Sequence, residues 1–316
     1  MVRKIVKAIF FIVETVLIII VSLLFYFAEP IHLQSSQIYI PRGTISKIIS
    51  YLDKRGIDSF FIDRFTLRFI GYPQSGWIDL HHRKLRRLDF LYLLTKSKAA
   101  LIKITLIPGE TTYTIIDELA KRYHVSQKVL QNEYNSVAPY PEGVLFPETY
   151  AIPKNMEPKR VIQLLVHLSL ARHKKLSSKF YGTYNQKLWF EKIVTIASII
   201  QKEAANREEM PLIASVIYNR LKKGMPLQMD GTLNYGQYSH IKVSPKRIQE
   251  DSSRFNTYKF FGLPPYPVCI VSKEAIAAAV FPAKTSYLYF VRISKGRHKF
   301  SKTYKNHLQN IKRVQK

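Results

Sequence analysis

The glutamate at position 203 stands at the end of an apolar helical pattern. The segment from Leu188 to Glu203 predicts a helix, and Ile193, Ile196 and Ile200 recur along it at steps of three and four. Glu203 takes the next position of this series, where an apolar residue is expected. A carboxyl group beside apolar surface loses hydration, which raises its pKa and lets it stay protonated near neutral pH. Such an acid can donate a proton to a glycosidic oxygen.

The same spacing permits a second interpretation of this glutamate. The apolar series can end at Ile200, and the side chain of Glu203 can turn to solvent ahead of Ala204, Ala205 and Asn206. Spacing alone weighs the two interpretations equally. The choice between them therefore depends on the residues around the helix.

Short motifs with ordered spacing lie on both sides of Glu203. They are EGVLFPETY at 142–150, ASIIQKEA at 197–204, ASVIYNRLKKGMPLQMDGTLNYG at 214–236, FNTY at 255–258, GLPP at 262–265, AAA at 277–279, PAKT at 282–285 and YLYFV at 287–291. Together they resemble the YceG/MltG family of endolytic murein transglycosylases. The resemblance covers roughly residues 140 to 310, whereas residues 30 to 100 match only in layout.

The resemblance implies that Glu203 is the catalytic acid, because it matches the second Glu of the family's Glu-Lys-Glu motif. Gln201 replaces the first Glu, Gly231 stands where the family usually has Pro, and Tyr266 stands where it often has Gly. The implied reaction breaks the β-1,4 bond between MurNAc and GlcNAc of nascent glycan strands and leaves a 1,6-anhydro-MurNAc end. One carboxyl group would serve as general acid and then as base for the C6 hydroxyl.

Five more polar residues of these motifs are expected to line the substrate groove through hydrogen bonds and stacking. They are Gln228, Asp230, Tyr235, Asn256 and Tyr258. The alternative for each is a residue that fixes a loop or satisfies the core. Neither a metal nor a cofactor is expected, because no group of His, Cys and carboxylate residues has the spacing of metal ligands.

Two strand-turn-helix patterns precede the motif-rich region. Residues 38–49 and 104–116 each combine a short β run, a Pro/Gly turn, a Ser/Thr cap and an amphipathic helix. This unit is similar to half of a LysM-type glycan-binding module, although many α+β domains begin in the same way.

The N-terminal region predicts an uncleaved membrane anchor. Residues 8–28 form an apolar stretch close to the roughly 20 residues that a helix needs to cross the hydrocarbon layer, and Glu14 is its one charged residue. The stretch is longer than the apolar part of a signal peptide and lacks a small-residue cleavage site. Arg3, Lys4 and Lys7 precede it, so the positive-inside rule places the N-terminus in the cytoplasm. The rest of the chain would then lie outside the inner (cytoplasmic) membrane, in the periplasm or its equivalent.

These patterns predict an α+β fold divided into five segments. We expect a cytoplasmic tail at 1–7, a transmembrane helix at 8–28, an N-terminal α+β segment at 29–100, a LysM-like glycan-binding subdomain at 101–155, and a mainly helical catalytic domain with a small sheet at 156–316.

The charge of the chain indicates attraction to a polyanion without saying which one. Lys and Arg number 49 against 22 Asp and Glu, a formal net charge of +27. Nucleic acid, anionic lipid and a carboxylate-bearing wall polymer all fit, and so does a proteome that is simply basic. The single cysteine, Cys269, excludes an internal disulfide and does not fix the redox compartment.

Two other classes of protein compete with the enzyme. One is a non-catalytic, membrane-anchored cell-wall-binding protein, against which the retained Glu203 argues. The other is a membrane-tethered nucleic-acid binder, against which the predicted topology and the lack of a binding motif argue. The expected partners are therefore peptidoglycan glycan strands, with peptidoglycan synthases as candidates, and no nucleic acid.

Overall fold

The computed structural model describes residues 2–97, 100–154, 156–294 and 296–314. These residues divide into two compact units. The first holds the described residues within Met1–Ile102 and Ala151–Asn155, and the second those within Lys103–Tyr150 and Met156–Lys316. Positions 1, 155 and 316, which bound three of the predicted segments, lie outside the described residues.

The first unit combines one long helix, three short helices and two strand pairs. Its elements are α1 (Val2–Ala28), β1 (Pro30–His32), β2 (Gln37–Ile40), α2 (Ile45–Asp53), α3 (Phe61–Ile70), β3 (Gly76–Asp79), β4 (Lys84–Arg86) and α4 (Arg87–Lys96). Strand β1 pairs antiparallel with β4, and β2 pairs antiparallel with β3. One apolar core, which includes the fully buried Ile40, Leu67, Leu80 and Leu94, joins these pairs to α2, α3 and α4.

Helix α1 is long and apolar enough to cross a membrane over Arg3–Ala28, and it is the one such helix among the described residues. Its apolar side chains are exposed along most of its length. Just beyond its end, Glu29 pairs at 3.1 Å with the buried guanidinium of Arg87, which also pairs at 3.1 Å with Asp63. These ion pairs tie the end of α1 to α3 and α4.

Both predicted strand-turn-helix patterns form the expected elements. In the first, β2 leads to α2, and the hydroxyl of Thr44 accepts a hydrogen bond from the Lys47 N–H at 3.3 Å. In the second, β5 (Leu101–Thr105) leads to α5 (Thr112–Tyr123), and Thr111 accepts from the Thr114 N–H at 3.3 Å. The hydroxyl caps explain why both helices begin where they do.

The second unit is mainly helical. Its further elements are α6 (Gln127–Val137), the first two residues of β6 (Thr149–Pro153), α7 (Pro158–Tyr181), α8 (Gln186–Leu188), α9 (Thr195–Glu203), α10 (Met210–Lys222), α11 (Pro245–Glu250), α12 (Lys273–Val280), β7 (Tyr289–Ser294), β8 (Arg297–Ser301) and α13 (Tyr304–Val314). Strands β5 and β6 form one two-stranded sheet, and β7 and β8 form another, which is antiparallel. The mixture of helices and small sheets confirms the α+β class.

Helix α9 is the buried centre of the second unit. A π-helical segment, Trp189–Val194, runs into it without a break, so the predicted helix up to Glu203 is confirmed with a local change of pitch. The periodicity predicted burial of only one face of this helix. In the structure every residue from Thr195 to Ile200 is fully buried, so all faces of this part of the helix are covered. Helices α10 and α12 pack against α9. A helix enclosed on all sides holds its last residue, Glu203, in a fixed place.

Candidate active site

Glu203 is the last residue of α9 and lies at the edge of a cleft. The chain leaves the helix at Ala204, whose backbone is extended (φ −69°, ψ 131°). The side chain of Glu203 is partly exposed. Its Oε1 accepts a hydrogen bond of 2.6 Å from the backbone N–H of Gly231. The residue as a whole is therefore partly exposed at the cleft, while its carboxyl group is largely enclosed by protein atoms. This position lies between the two interpretations of its spacing.

Gly231 can approach the carboxyl group because it has no side chain. A Cβ atom at this position would lie 2.6 Å from the Cβ of Lys202 and 2.9 Å from Oε1 of Glu203. Both distances are shorter than van der Waals contact. Glycine at this position therefore permits the hydrogen bond, which a proline could not donate because it has no N–H.

The surroundings of Glu203 favour its protonated form. Burial raises the pKa of Glu203 to about 7, and the nearby negative charge of Asp230 adds to the rise. The Gly231 hydrogen bond and the charge of Arg220 oppose it. The direction is the one expected from the apolar series. A carboxyl group with this pKa exchanges protons readily at neutral pH.

Asp230 and Tyr258 form a hydrogen-bonded pair beside Glu203. The Tyr258 hydroxyl donates to Oδ1 of Asp230 at 2.7 Å. Burial, followed by this contact and by the charges of Asp230 and Glu203, raises the pKa of the Tyr258 hydroxyl, which therefore stays protonated. Asp230 lines the same cleft as Glu203, so the three residues lie in one neighbourhood.

The cleft at Glu203 has a volume of about 490 Å³ and is mostly polar. It is lined by Lys202, Glu203, Ala204, Ala205, Asp230, Phe290, Val291, Arg292 and His298. The end of α9, the short 3-10 helix Asp230–Leu233 and the β7–β8 hairpin therefore build one site. A cavity of this size is within the range of small-molecule binding sites.

Of the five expected groove residues, Asp230 lines the cleft and Tyr258 is hydrogen-bonded to Asp230, whereas the other three lie elsewhere or are occupied. Gln228 is exposed, with a left-handed backbone (φ 49°), and does not line the cleft. Tyr235 donates to Asp251 at 3.1 Å, stacks on Phe255 and lines a separate small cavity. Asn256 is fully buried, and its amide donates to the carbonyl groups of Ile248 and Asp251 at 2.8 Å each. In this structure Asn256 has the contacts of a loop-fixing residue and no access to a ligand.

Gln201 and Tyr266, two of the residues at which this chain departs from the family motifs, have structural roles near the site. Oε1 of Gln201 accepts the backbone N–H of Ser272 at 3.1 Å, at the start of α12, and Gln201 does not line the cleft. Tyr266 packs edge-on against Phe255 with ring centres 4.8 Å apart. Both side chains support the fold around the site and leave the Glu203 carboxyl group unobstructed.

Three ionisable residues that shape the site were not predicted from the sequence. Arg220 on α10 donates to the carbonyl groups of Leu227 (2.6 Å) and Leu288 (2.7 Å), so it holds the chain on both sides of the cleft. Glu209 and His298 form a buried pair at 2.8 Å. Arg220 belongs to a recognised motif, but its contacts are 7 and 68 residues away along the chain. His298 lies in a basic segment of the sequence, and no local pattern there predicts a partner 89 residues away.

Several known proteins are similar to this chain in sequence. A sequence model of the YceG-like family matches residues 38–313. An endolytic murein transglycosylase of Bacillus subtilis is 37% identical over 201 residues, which are 61% of this chain and 53% of the relative. An endolytic murein transglycosylase of Streptococcus pneumoniae serotype 2 is 34% identical over 177 residues, 54% of this chain and 31% of the relative. The chain thus spans about half or less of these curated relatives.

A solved structure extends the agreement to the fold. The 2.6 Å crystal structure of a yceG-like protein from Listeria monocytogenes superposes with a TM-score of 0.56 at 27% sequence identity. The superposition covers 86% of this chain and 97% of the Listeria chain. The resemblance read from the motifs is confirmed, and this chain belongs to the YceG-like family.

Proposed function

We propose that this chain is an endolytic lytic transglycosylase that cleaves the β-1,4 bond between MurNAc and GlcNAc in nascent peptidoglycan strands. Its membership of the YceG-like family and the names of its relatives support this activity. The single observation that carries the proposal is the carboxyl group of Glu203, held at a cleft with its pKa near 7. Peptidoglycan strands are then the substrate, and peptidoglycan synthases are candidate partners.

In the first step, protonated Glu203 donates its proton to the glycosidic oxygen as the bond to the anomeric carbon breaks. The C6 hydroxyl of the same MurNAc then attacks the anomeric carbon, and the Glu203 carboxylate takes the proton of that hydroxyl. The products are a free GlcNAc hydroxyl and a 1,6-anhydro-MurNAc end, and no water is consumed. Glu203 returns to its protonated form.

The contacts of Glu203 suit both of its roles in this reaction. The surrounding burial stabilises the neutral acid before the transfer, and the Gly231 N–H stabilises the carboxylate after it. Asp230 and Tyr258 lie in the same neighbourhood, and we assign them to substrate binding. Gln228 and Tyr235 would contact only more distant parts of a strand.

The other parts of the chain would place this site at its substrate. In our proposal α1 is a single-pass anchor in the cytoplasmic membrane, with Arg3, Lys4 and Lys7 on the cytoplasmic side and the Glu203 cleft outside. Residues 29–100 and 101–155 would bind and orient glycan in a LysM-like manner. The capped strand-turn-helix elements in both segments support this assignment.

Mass spectrometry of purified glycan strands after incubation with the protein tests the proposed activity. A lytic transglycosylase yields ends that are lighter by one water than those produced by a hydrolase. A non-catalytic wall-binding protein would bind the strands and leave their length unchanged. Ordinary reducing ends would instead show that water replaces the C6 hydroxyl as the attacking group.

A further inference from the structure

His298, which lines the cleft at Glu203, forms an ionisable pair with Glu209 that the proposed reaction does not use. Glu209 stands immediately before α10, and His298 lies on β8. Oε2 of Glu209 is 2.8 Å from Nδ1 of His298, and Oε1 of Glu209 accepts the backbone N–H of His298 at 2.8 Å. Each side chain has a relative exposure of 9%. His298 also lines the cleft together with Glu203 and Asp230.

The two hydrogen bonds of Glu209 determine what His298 can offer to a ligand. An ionised carboxylate only accepts hydrogen bonds, so the proton of a neutral imidazole lies on Nδ1. In this neutral tautomer Nδ1 is occupied and Nε2 carries an unshared lone pair, whereas a protonated imidazole would present an N–H at Nε2. The second oxygen of Glu209 is occupied by the backbone N–H of the same residue, which fixes the position of the whole pair.

The surroundings of the pair make it rigid. The side-chain oxygen of Asn206 accepts the backbone N–H of Glu209 at 3.0 Å, and its amide donates to the carbonyl of Gly296 at 2.8 Å. The ring of Phe290 packs edge-on against the imidazole, with ring centres 5.4 Å apart. A hydrogen-bonding group held in this way loses little entropy when it binds a ligand.

We propose that His298 is a substrate-contacting residue of the cleft, whose Nε2 accepts a hydrogen bond from a sugar hydroxyl, and that Glu209 is the positioning residue that fixes this tautomer. The inference rests on the proposed function, because it needs a glycan in the Glu203 cleft. If the pair served only to hold the β7–β8 hairpin against α10, the bonds from Nδ1 and the backbone N–H of His298 to Glu209 would be enough, and Nε2 would have no role.

Two substitutions separate the substrate contact from the structural tie. His298→Asn keeps an N–H where Nδ1 was, so it retains the bond to Glu209 and loses the group at Nε2. In Glu209→Gln, the amide oxygen accepts the backbone N–H, and the amide N–H₂ then faces Nδ1 and forces the ring proton onto Nε2. The acceptor at Nε2 thus becomes a donor, although the pair is still bonded.

The experiment measures the rate of anhydro-end formation by the full-length chain in detergent, with purified glycan strands as substrate. We expect both substitutions to lower kcat/KM by about 10- to 100-fold, the loss of one hydrogen bond in a desolvated site, with little change in thermal unfolding. His240→Asn is the matched control, because His240 also faces a carboxylate, Glu110 at 2.9 Å, but is largely exposed and away from the cleft. It should keep the wild-type rate.

Nitrogen NMR of ¹⁵N-histidine-labelled protein reports the tautomer and the contact directly. In the Glu203→Gln background, where strands remain uncut, we expect an unprotonated Nε2 on His298 whose signal shifts when strands are added. A protonated Nε2, an unshifted signal, or a folded His298→Asn variant with the wild-type rate would overturn the inference. If His298→Asn does not fold, the rate of Glu209→Gln and the NMR signal of His298 test the inference instead.

Failure of the proposed function would look different. A wild-type protein that binds strands without forming anhydro ends would refute that function, and the NMR signal would still show whether His298 contacts the strand.

Discussion

The backbone N–H of Gly231 donates to Oε1 of Glu203 at 2.6 Å, across 28 residues of sequence. This bond places one donor on the carboxyl group that ends α9. It stabilises the ionised form, whereas the surrounding burial stabilises the neutral form. The balance of these two effects sets the pKa of Glu203 near neutral pH.

A methyl group at position 231 should disturb this balance. We expect Gly231→Ala to lose at least tenfold in activity and about 1 to 3 kcal/mol in stability, because the new Cβ would overlap Lys202 and Oε1 of Glu203. Thermal unfolding and the rate of anhydro-end formation measure the two effects.

Gly182→Ala is the matched control, since a Cβ there meets nothing within 4 Å. It should cost stability through its left-handed backbone (φ 73°) and leave activity intact. Equal activity of Gly231→Ala and Gly182→Ala would contradict the close contact between Gly231 and Glu203.

The stability of the fold should depend on pH through Glu203. Its pKa is about 7 in the folded chain and 4.5 without the surroundings of the fold. Between these values the folded state binds more protons than the unfolded state, so the free energy of unfolding falls as pH rises through this window. Glu203→Gln removes this fall. Its stability relative to the wild type should therefore increase from about pH 4.5 to 7 and then level off. Denaturant titrations across this range measure the difference, and a difference independent of pH would contradict the raised pKa.

Glu142 should matter for the fold and not for the chemistry. Its buried carboxyl group accepts from the Thr112 N–H (2.8 Å), the Thr112 hydroxyl (2.7 Å) and the Gly143 N–H (2.9 Å). Glu142→Ala leaves these donors unpaired, and we expect a loss of about 2 to 4 kcal/mol in the free energy of unfolding. Glu191→Ala, at an exposed glutamate, should change it by less than about 0.5 kcal/mol. Urea denaturation measures the free energy of unfolding of both variants. Comparable stability of the two would refute the structural role given to Glu142.

The membrane orientation is open to a direct test. We expect protease added to spheroplasts to digest the chain beyond Glu29, because Arg3, Lys4 and Lys7 hold the N-terminus of α1 in the cytoplasm. A known external protein serves as the positive control and a cytoplasmic protein as the negative control. Protection of the chain while the external control is digested would show that the orientation is reversed.

The sequence predicted those parts of the structure that depend on local patterns. The helix ending at Glu203 and the Thr44 and Thr111 caps follow from periodicity and short-range hydrogen bonding, and the structure confirms them. That Glu203, Asp230 and Tyr258 belong to one site was expected only from the family resemblance, because no local sequence pattern relates positions so far apart.

Other features of the site could not be predicted because they depend on tertiary contacts. Glu209 and His298 are 89 residues apart, and nothing in the basic segment around His298 indicates that the histidine turns inward. Asn256 resembled a groove residue by its motif, but the loop around it closes over its amide. The functional division at 29–100, 101–155 and 156–316 remains a prediction, although residues 103–150 and the described residues from 156 onward group in one compact unit.

The most direct test of the account is the product spectrum of Glu203→Gln. Glutamine keeps the shape of the side chain but can neither deliver a proton to the glycosidic oxygen nor accept one from the C6 hydroxyl. General acid-base catalysis contributes about 10²- to 10⁴-fold, so anhydro ends should become nearly undetectable by mass spectrometry. Gln201→Glu, a change away from the cleft that keeps the acceptor for the Ser272 N–H, should leave activity nearly unchanged. A well-folded Glu203→Gln protein that still produces anhydro ends at the wild-type rate would show that Glu203 is not the catalytic acid.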